Sequence, residues 1–327
     1  MAWFRVDVPP SGGGGSMPDQ IAKIAQGTTF DYFELETKTG TIPQYVFHGS
    51  QIRDVESTDV ITVQDRAFEG CINLRKINLP NCTSIGSYAF ACNRTTYAST
   101  VSINLPAVTN ISAYAFNGFY GTDNTSEIVF PACTYVGQYA FQHSSSNPLT
   151  VKSLSFPAVT QMGGSSFVRI IAETIDIGEN CTTMGSTPLA NATVTNLIIR
   201  ATTPPTLGTN AGLGNGASIT HIYVPAAAVE TYKITNRWSQ YASYIEAIPS
   251  ITLNANTQTL SVNDTFQLSA TTTPSGQTVS YVSSDATIAS VDSSGLITGV
   301  AAGTATITAS FTIDGLVCSA VCEVTVE

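Results

Sequence analysis

Three histidines, seven cysteines and twenty-three acidic side chains are the groups with which this sequence could do chemistry. A metal centre or a nucleophile–base pair needs such groups to converge at fixed spacings. His48 and His143 follow phenylalanines at 47 and 141, and His221 stands in a strand-like run; none has a cysteine or second histidine beside it. All three are read as solvated, and no Cys-x-x-Cys pair supports zinc. The glycines of Gly212-Leu213-Gly214-Asn215-Gly216 lack the flanking strand and helix of a dinucleotide fingerprint. Carboxylates supply the best catalytic candidate. Glu127 and Asp176 fall two repeats apart on one strand face, about 10 Å at the usual strand spacing, near the upper bound for an inverting glycosidase pair. That face reads as flat and wide, with nothing to bury one acid and raise its pKa. The expectation is no catalytic residue, no metal and no cofactor.

Repetition sets the elements that position these groups. One phrase recurs seven times over residues 74–225: LRKINLP, TVSINLP, TSEIVFP, VKSLSFP, AETIDIG, VTNLIIR and ITHIYVP. A period of 21–26 residues means stacked coils of a solenoid, each adding a short strand to a parallel sheet. Two positions are apolar in every copy. The first is Ile77, Ile103, Ile128, Leu154, Ile175, Leu197 and Ile222; the second is Leu79, Leu105, Phe130, Phe156, Ile177, Ile199 and Val224. Residues two apart share a strand face, so both rows point into the coil. Their neighbours point outward and vary: Lys76 and Asn78, Ser102 and Asn104, Glu127 and Val129, Ser153 and Ser155, Thr174 and Asp176, Asn196 and Ile198, His221 and Tyr223. This outward row, Thr174 and Asn196 aside, is the expected ligand-binding surface, suited to a glycan or a protein patch.

A second phrase marks an inner corner. Phe47, Phe68, Phe90, Phe116, Phe141 and Phe167 each follow an apolar residue five places earlier, and three coils read IGSYAF, ISAYAF and VGQYAF. The phenylalanines are expected to stack as a spine, with Ala89, Ala115 and Ala140 leaving room. Cys82 and Cys133 stand where other coils have Val108 and Val159, as small buried hydrophobes do. Cys318 and Cys322 are about 13 Å apart along a strand, too far to bridge. The cysteines are therefore read as free structural thiols. The wording AFEGCINLRKINLP followed by TSIGSYAFAC resembles the BspA-like leucine-rich repeats of bacterial and phage surface proteins, over about residues 42–225. The stretch ITHIYVPAAAVETYKITNRWSQYASYIEAI resembles the helical cap closing such arrays. Pro225 can open a helix, and Trp238, Tyr241, Ala242 and Ile245 fall on one helical face.

Beyond Pro249 the pattern turns to period two: Leu260 with Val262, Phe266 with Leu268, and Ala305, Ile307 and Ala309. Turn signals at Asn263-Asp264, Pro274-Ser275-Gly276 and Ser293-Ser294-Gly295 come at sandwich spacing. VSYVSSDATIASVDSSGLITGVAAGTATITA resembles the bacterial immunoglobulin-like domain of group 2, with Tyr281 where that family usually has Trp. The expected fold is mainly β: a leucine-rich repeat solenoid with a parallel sheet and helical C-terminal cap, then an Ig-like β-sandwich. The expected divisions are 1–16 as a flexible tail, 17–249 as the solenoid (17–41 an N-terminal cap with a helical turn at 21–25, 226–249 the helical cap) and 250–327 as the Ig-like domain.

With 327 residues, 11% of them charged, and a net charge of −10, the chain has no basic stripe for nucleic acid. No run approaches the ~20 apolar residues of a membrane span. No secretory signal or wall-sorting motif is visible, and a Gly/Ser linker follows the first ten residues. Both resemblances imply surface adhesion or recognition. Together with the missing export signals they point to a phage virion protein made in the cytoplasm and released by lysis. Its partners would be a host-surface glycan or protein and, through the N-terminal tail, other virion proteins. The alternatives are a bacterial cell-surface or excreted adhesin, and a spacer with no ligand.

Overall fold

The computed structural model describes residues 2–7, 33–37, 40–50, 52, 54–72, 74–92, 102–119, 125–144, 148–208 and 212–327. The chain divides into two compact units, Met1–Glu246 and Ala247–Glu327.

The first unit is a solenoid of about eight turns with two parallel walls. One wall carries the recurring phrase: Asp54–Glu56, Lys76–Asn78 and Ser102–Asn104 in one sheet, then Glu127–Val129, Thr150–Phe156, Ile171–Ile177, Thr193–Ile199 and Ser218–Val224 in a second. Register is strict, with Ile77 opposite Ile103, and Leu154, Ile175, Leu197 and Ile222 opposite one another in turn. Thirteen of the fourteen inward residues are buried, and Ile103 is partly buried against the same core. The other wall is an eight-stranded sheet of two-residue strands, running from Thr41–Ile42 to Thr206–Leu207. Two residues suffice because the coil only touches this wall before turning the corner.

That corner holds the phenylalanine spine. The rings stack face to face from Phe47 to Phe68, Phe90, Phe116, Phe141 and Phe167, with centroid separations of 5.0, 5.2, 5.4, 5.1 and 5.6 Å. Backbone bonds run in step with them: Phe90 N–H donates to the Ala115 carbonyl and Phe116 N–H to that of Ala140, both at 2.8 Å. Gly178 stands where five copies of the phrase have proline. A Cβ there would lie 1.9 Å from the Pro157 carbonyl oxygen, so close approach of coils excludes a side chain.

Two expectations need correction in this unit, and a third is not tested. Ala2–Asp7, read as part of a free tail, is a strand paired antiparallel with both Phe33–Thr37 and Asp54–Glu56. It satisfies the backbone groups at the open edge of the first coil, which would otherwise be a template for stray pairing. The helical turn expected at 21–25 lies outside the described residues. The C-terminal cap is less helical than expected: a 3-10 turn (Ala226–Ala228), one short helix (Val229–Ile234) and a second 3-10 turn (Ser239–Tyr241). Thr235 leaves the helix in an extended conformation and Arg237 is left-handed (φ 69°), which breaks any helix through Trp238. Ile245 is consequently in a strand, Ile245–Ala247, added beside Ser218–Val224.

The second unit contains only strands, in sheets of two, four and three. Its long hairpin pairs Gly303–Ile313 with Leu316–Val326. Leu260, Leu268, Ile297, Ile307, Cys322 and Val324 form one core cluster, and Tyr281 packs against this and a second cluster around Ile251 and Phe311. The turns follow their residue types: Asn263 and Gly295 are left-handed, and Asp292 accepts from the backbone of Ser294 and Leu296. Val262 is exposed, because the strand ends at Leu260.

Candidate functional site

The outward row is assembled by register into two parallel files on the second sheet. Ser153, Thr174, Asn196 and His221 align behind Glu127, and Ser155, Asp176, Ile198 and Tyr223 behind Val129. On the first sheet Lys76 faces Ser102 and Asn78 faces Asn104. Most charges in the row are tied to a neighbouring coil. Lys76 Nζ reaches Glu56 at 2.7 Å, Lys152 Nζ reaches Glu127 at 2.6 Å, and Asn104 Nδ2 donates to Asn78 Oδ1 at 2.7 Å. Arg200 holds Asp176 with two bonds, at 2.9 and 2.8 Å, which push its own pKa up. Glu127 and Asp176, the only acids weighed for catalysis, thus lie in different files and each is paired with a cation.

Exposure divides the row. Ser102, Asn104, Glu127 and Val129 are open to water, Val129 at 47%. Lys76, Asn78, Ser153, Ser155, Asp176 and His221 are half-buried. Ile198 and Tyr223, expected to be outward contacts, are buried at 5% and 1%. The cause is lateral. This end of the row carries long side chains at strand spacing, with Ile198 in register against Tyr223 and the His221 ring parallel to Tyr223 at 5.4 Å. His221 also meets Glu246 from the added edge strand, at 3.2 Å. The open surface is therefore the part around Asn104 and Val129.

His143, read as solvated, is another correction. Its side chain is 2% exposed, and neither ring nitrogen has a hydrogen-bond partner among the described residues. Burial favours the neutral ring and lowers its pKa from 6.5 to about 3. The unfolded chain therefore takes up a proton below pH 6.5 that the folded chain refuses until about pH 3. Stability is full above pH 6.5 and falls as the pH drops, by about 2 kcal/mol at pH 5. Urea unfolding of wild type and His143→Leu across pH 7 to 5 checks this: the variant should lose that part of the acid dependence.

The cysteines behave as expected. None of the seven forms a disulfide, and six are buried. Burial raises the Cys82 and Cys181 thiols to about 11 and Cys133 to about 12, and each thiol donates to the backbone carbonyl two residues on. Since the thiolate is the reactive form, these three should resist a thiol reagent at pH 7 in the native chain and react once it is denatured. Mass spectrometry of labelled peptides reads this directly.

Sequence reasoning overlooked a second surface. The residue two places before each spine phenylalanine is left-handed: Tyr45, Arg66, Tyr88, Tyr114, Tyr139 and Ser165, with φ of 56–60°. Tyr88, Tyr114 and Tyr139 stack on one another at 4.6 and 4.8 Å, and the Arg66 guanidinium lies 4.4 Å from the Tyr88 ring centre. The signal was present in the recurring tyrosine of IGSYAF, ISAYAF and VGQYAF.

An array of stacked coils with a partly open polar wall, and a small β-sandwich in the second unit, define a modular repeat protein. The family model of the BspA type leucine rich repeat region matches residues 23–147 and 109–238, in six copies. The chain belongs to that family. The model of the bacterial Ig-like domain (group 2) matches residues 247–314. Both are typically non-catalytic binding domains. Among curated proteins there is no match.

Proposed function

We propose that the protein is a non-enzymatic surface-recognition or adhesion protein, and that the open part of the long-strand wall is its contact surface. The observation carrying this is the exposed patch of Ser102, Asn104, Glu127 and Val129, mounted on sheets whose inward side chains are almost all buried. Such a patch is rigid before any partner arrives, so little ordering entropy opposes contact. Its mixture of amide, hydroxyl, acid and one apolar side chain suits a host-cell glycan or protein. We place it on a phage virion, as a tail-fibre or decoration protein joined to other virion proteins through its N-terminal region. Both modules resemble ones found on such particles. A bacterial surface or excreted adhesin is the alternative.

The test is binding of the fluorescently labelled full chain to intact bacteria. Asn104→Ala combined with Val129→Ala should reduce binding at least tenfold with an unchanged melting curve. Binding by the double variant equal to wild type would place contact elsewhere, and binding to no cell surface at all would favour a spacer. Neighbouring genes for tail, baseplate or lysis proteins would support the virion, and a secretion locus the adhesin.

A further inference from the structure

The short-strand wall carries a cleft of about 400 Å³, lined by Gln44, Thr62, Gln64, Asp65, Ser84 and Ser112, with Val63 and Gly86 also at its surface. Its size falls within the range of small-ligand sites, and its lining is polar where a drug-like apolar ligand would need hydrophobic walls. The cleft is far too small for a protein interface, which needs roughly 800 Å² from each partner. Gly86 belongs to its shape: a Cβ there would come within 2.5 Å of the Asp65 backbone nitrogen.

The lining has hydrogen-bonding capacity to spare. Gln64 Oε1 accepts from the Gln44 backbone at 3.0 Å, and Asp65 Oδ1 accepts from the Ser87 backbone at 2.7 Å. These bonds fix the two side chains while leaving the Gln64 amide NH2, the other Asp65 oxygen and the Gln44 amide without partners among the described residues. Planar amides beside a carboxylate can donate to and accept from adjacent hydroxyls at once. Along each coil, the aromatic ladder begins one or two residues further on. Asp65 precedes Arg66, Gly86 precedes Tyr88 by two, and Ser112 precedes Tyr114 by two. The ladder rings cover one another's faces, so what they offer a ligand is a row of half-exposed edges and hydroxyls. In five successive coils this left-handed corner bears a long side chain, although glycine would sit there without strain.

We propose that this cleft and the adjoining ladder form a binding site for a neutral oligosaccharide. Vicinal sugar hydroxyls match the amide and carboxylate groups of the cleft, and the flanking sugar lies along the tyrosine edges. Neutrality follows from charge. Asp65 lies at the cleft, Arg66 is already engaged by both oxygens of Glu69 at 3.0 and 2.9 Å, and the chain has a net charge of −10. An anionic polymer would meet repulsion, with no free cation among the described residues of the cleft lining. The site lies on the other wall from the patch proposed above and does not depend on it.

The experiment is an array of neutral gluco-, galacto-, manno- and xylo-oligosaccharides probed with the labelled full chain, followed by calorimetry on the best sugar. Gln44→Ala with Gln64→Ala should weaken binding at least tenfold without moving the melting curve, and Ser112→Trp should block it by bulk. Asn104→Ala with Val129→Ala should leave it unchanged, which separates this site from the long-strand wall. Absence of binding to every neutral sugar overturns the proposal. So does a sugar whose binding survives both cleft variants, or a preference for acidic polysaccharides.

Discussion

Phe116→Ala should lower the stability of the solenoid by about 3–5 kcal/mol, the usual cost of emptying a large aromatic from a core. Phe116 is fully buried between Phe90 and Phe141, at 5.4 and 5.1 Å, with Phe119 edge-on and Phe130 tilted beside it at centroid separations of 5.9 and 6.3 Å. No neighbour can fill the space by a small rotation, because each ring is held by the next coil's ring and by turn-to-turn backbone bonds. In a repeat array, stability is a sum of coil terms and nearest-neighbour interfaces. Loss of one ring removes two stacking contacts and weakens both adjoining interfaces. Hydrogen exchange should therefore quicken first around residues 89–92 and 140–142. Urea unfolding gives the total. A midpoint unchanged from wild type would mean that the spine contributes nothing, and Phe116→Leu, which leaves a smaller void, should cost distinctly less.

Trp238→Ala should cost a similar 3–5 kcal/mol at the other end of the array. Trp238 is fully buried, its Nε1–H donates to the Pro205 carbonyl at 2.8 Å, and its ring meets Tyr232 edge-on at 5.1 Å. Tyr232 in turn donates to the Ala201 carbonyl at 2.8 Å. Together these two side chains close the last coil over its apolar interior. Removing the indole empties a large volume and also orphans a buried carbonyl, itself worth about 1–3 kcal/mol. Trp238→Phe separates the contributions, since it keeps most of the bulk and loses only the hydrogen bond. Thermal unfolding should rank wild type above Phe above Ala. Equal losses for Phe and Ala would mean that the hydrogen bond, not the packing, secures the cap.

The architecture was legible because each of its parts is a local pattern repeated. Ile103, Leu105 and their counterparts recur two apart, so strand geometry alone sends them to one side. The IGSYAF wording recurs in register, so a phenylalanine stack was implied before any coordinates. The Ig-like unit announced itself through period-two runs and turn residues that adopt the conformations they favour. The cap was half legible. Burial of Trp238 followed from its hydrophobicity, but the helix through it did not survive the left-handed Arg237.

The candidate site was less legible, and the reason is physical. Which face of a strand a residue occupies depends on its own chain; whether that face sees water depends on side chains arriving from other coils. Tyr223 and Asn104 hold the same rank in the sequence pattern, yet one is enclosed and the other open. His143 follows its phenylalanine at the same two-residue interval as Gly118, and only the packing of neighbouring coils takes its ring out of solvent. The cleft at Gln44 and Gln64 and the tyrosine ladder likewise exist only once successive coils are stacked. Sequence alone determined the period, the inward rows, the spine and the two-module order, since these follow from spacing along one chain. Tertiary structure decided exposure, ion pairing and concavity, since these are properties of the space between coils.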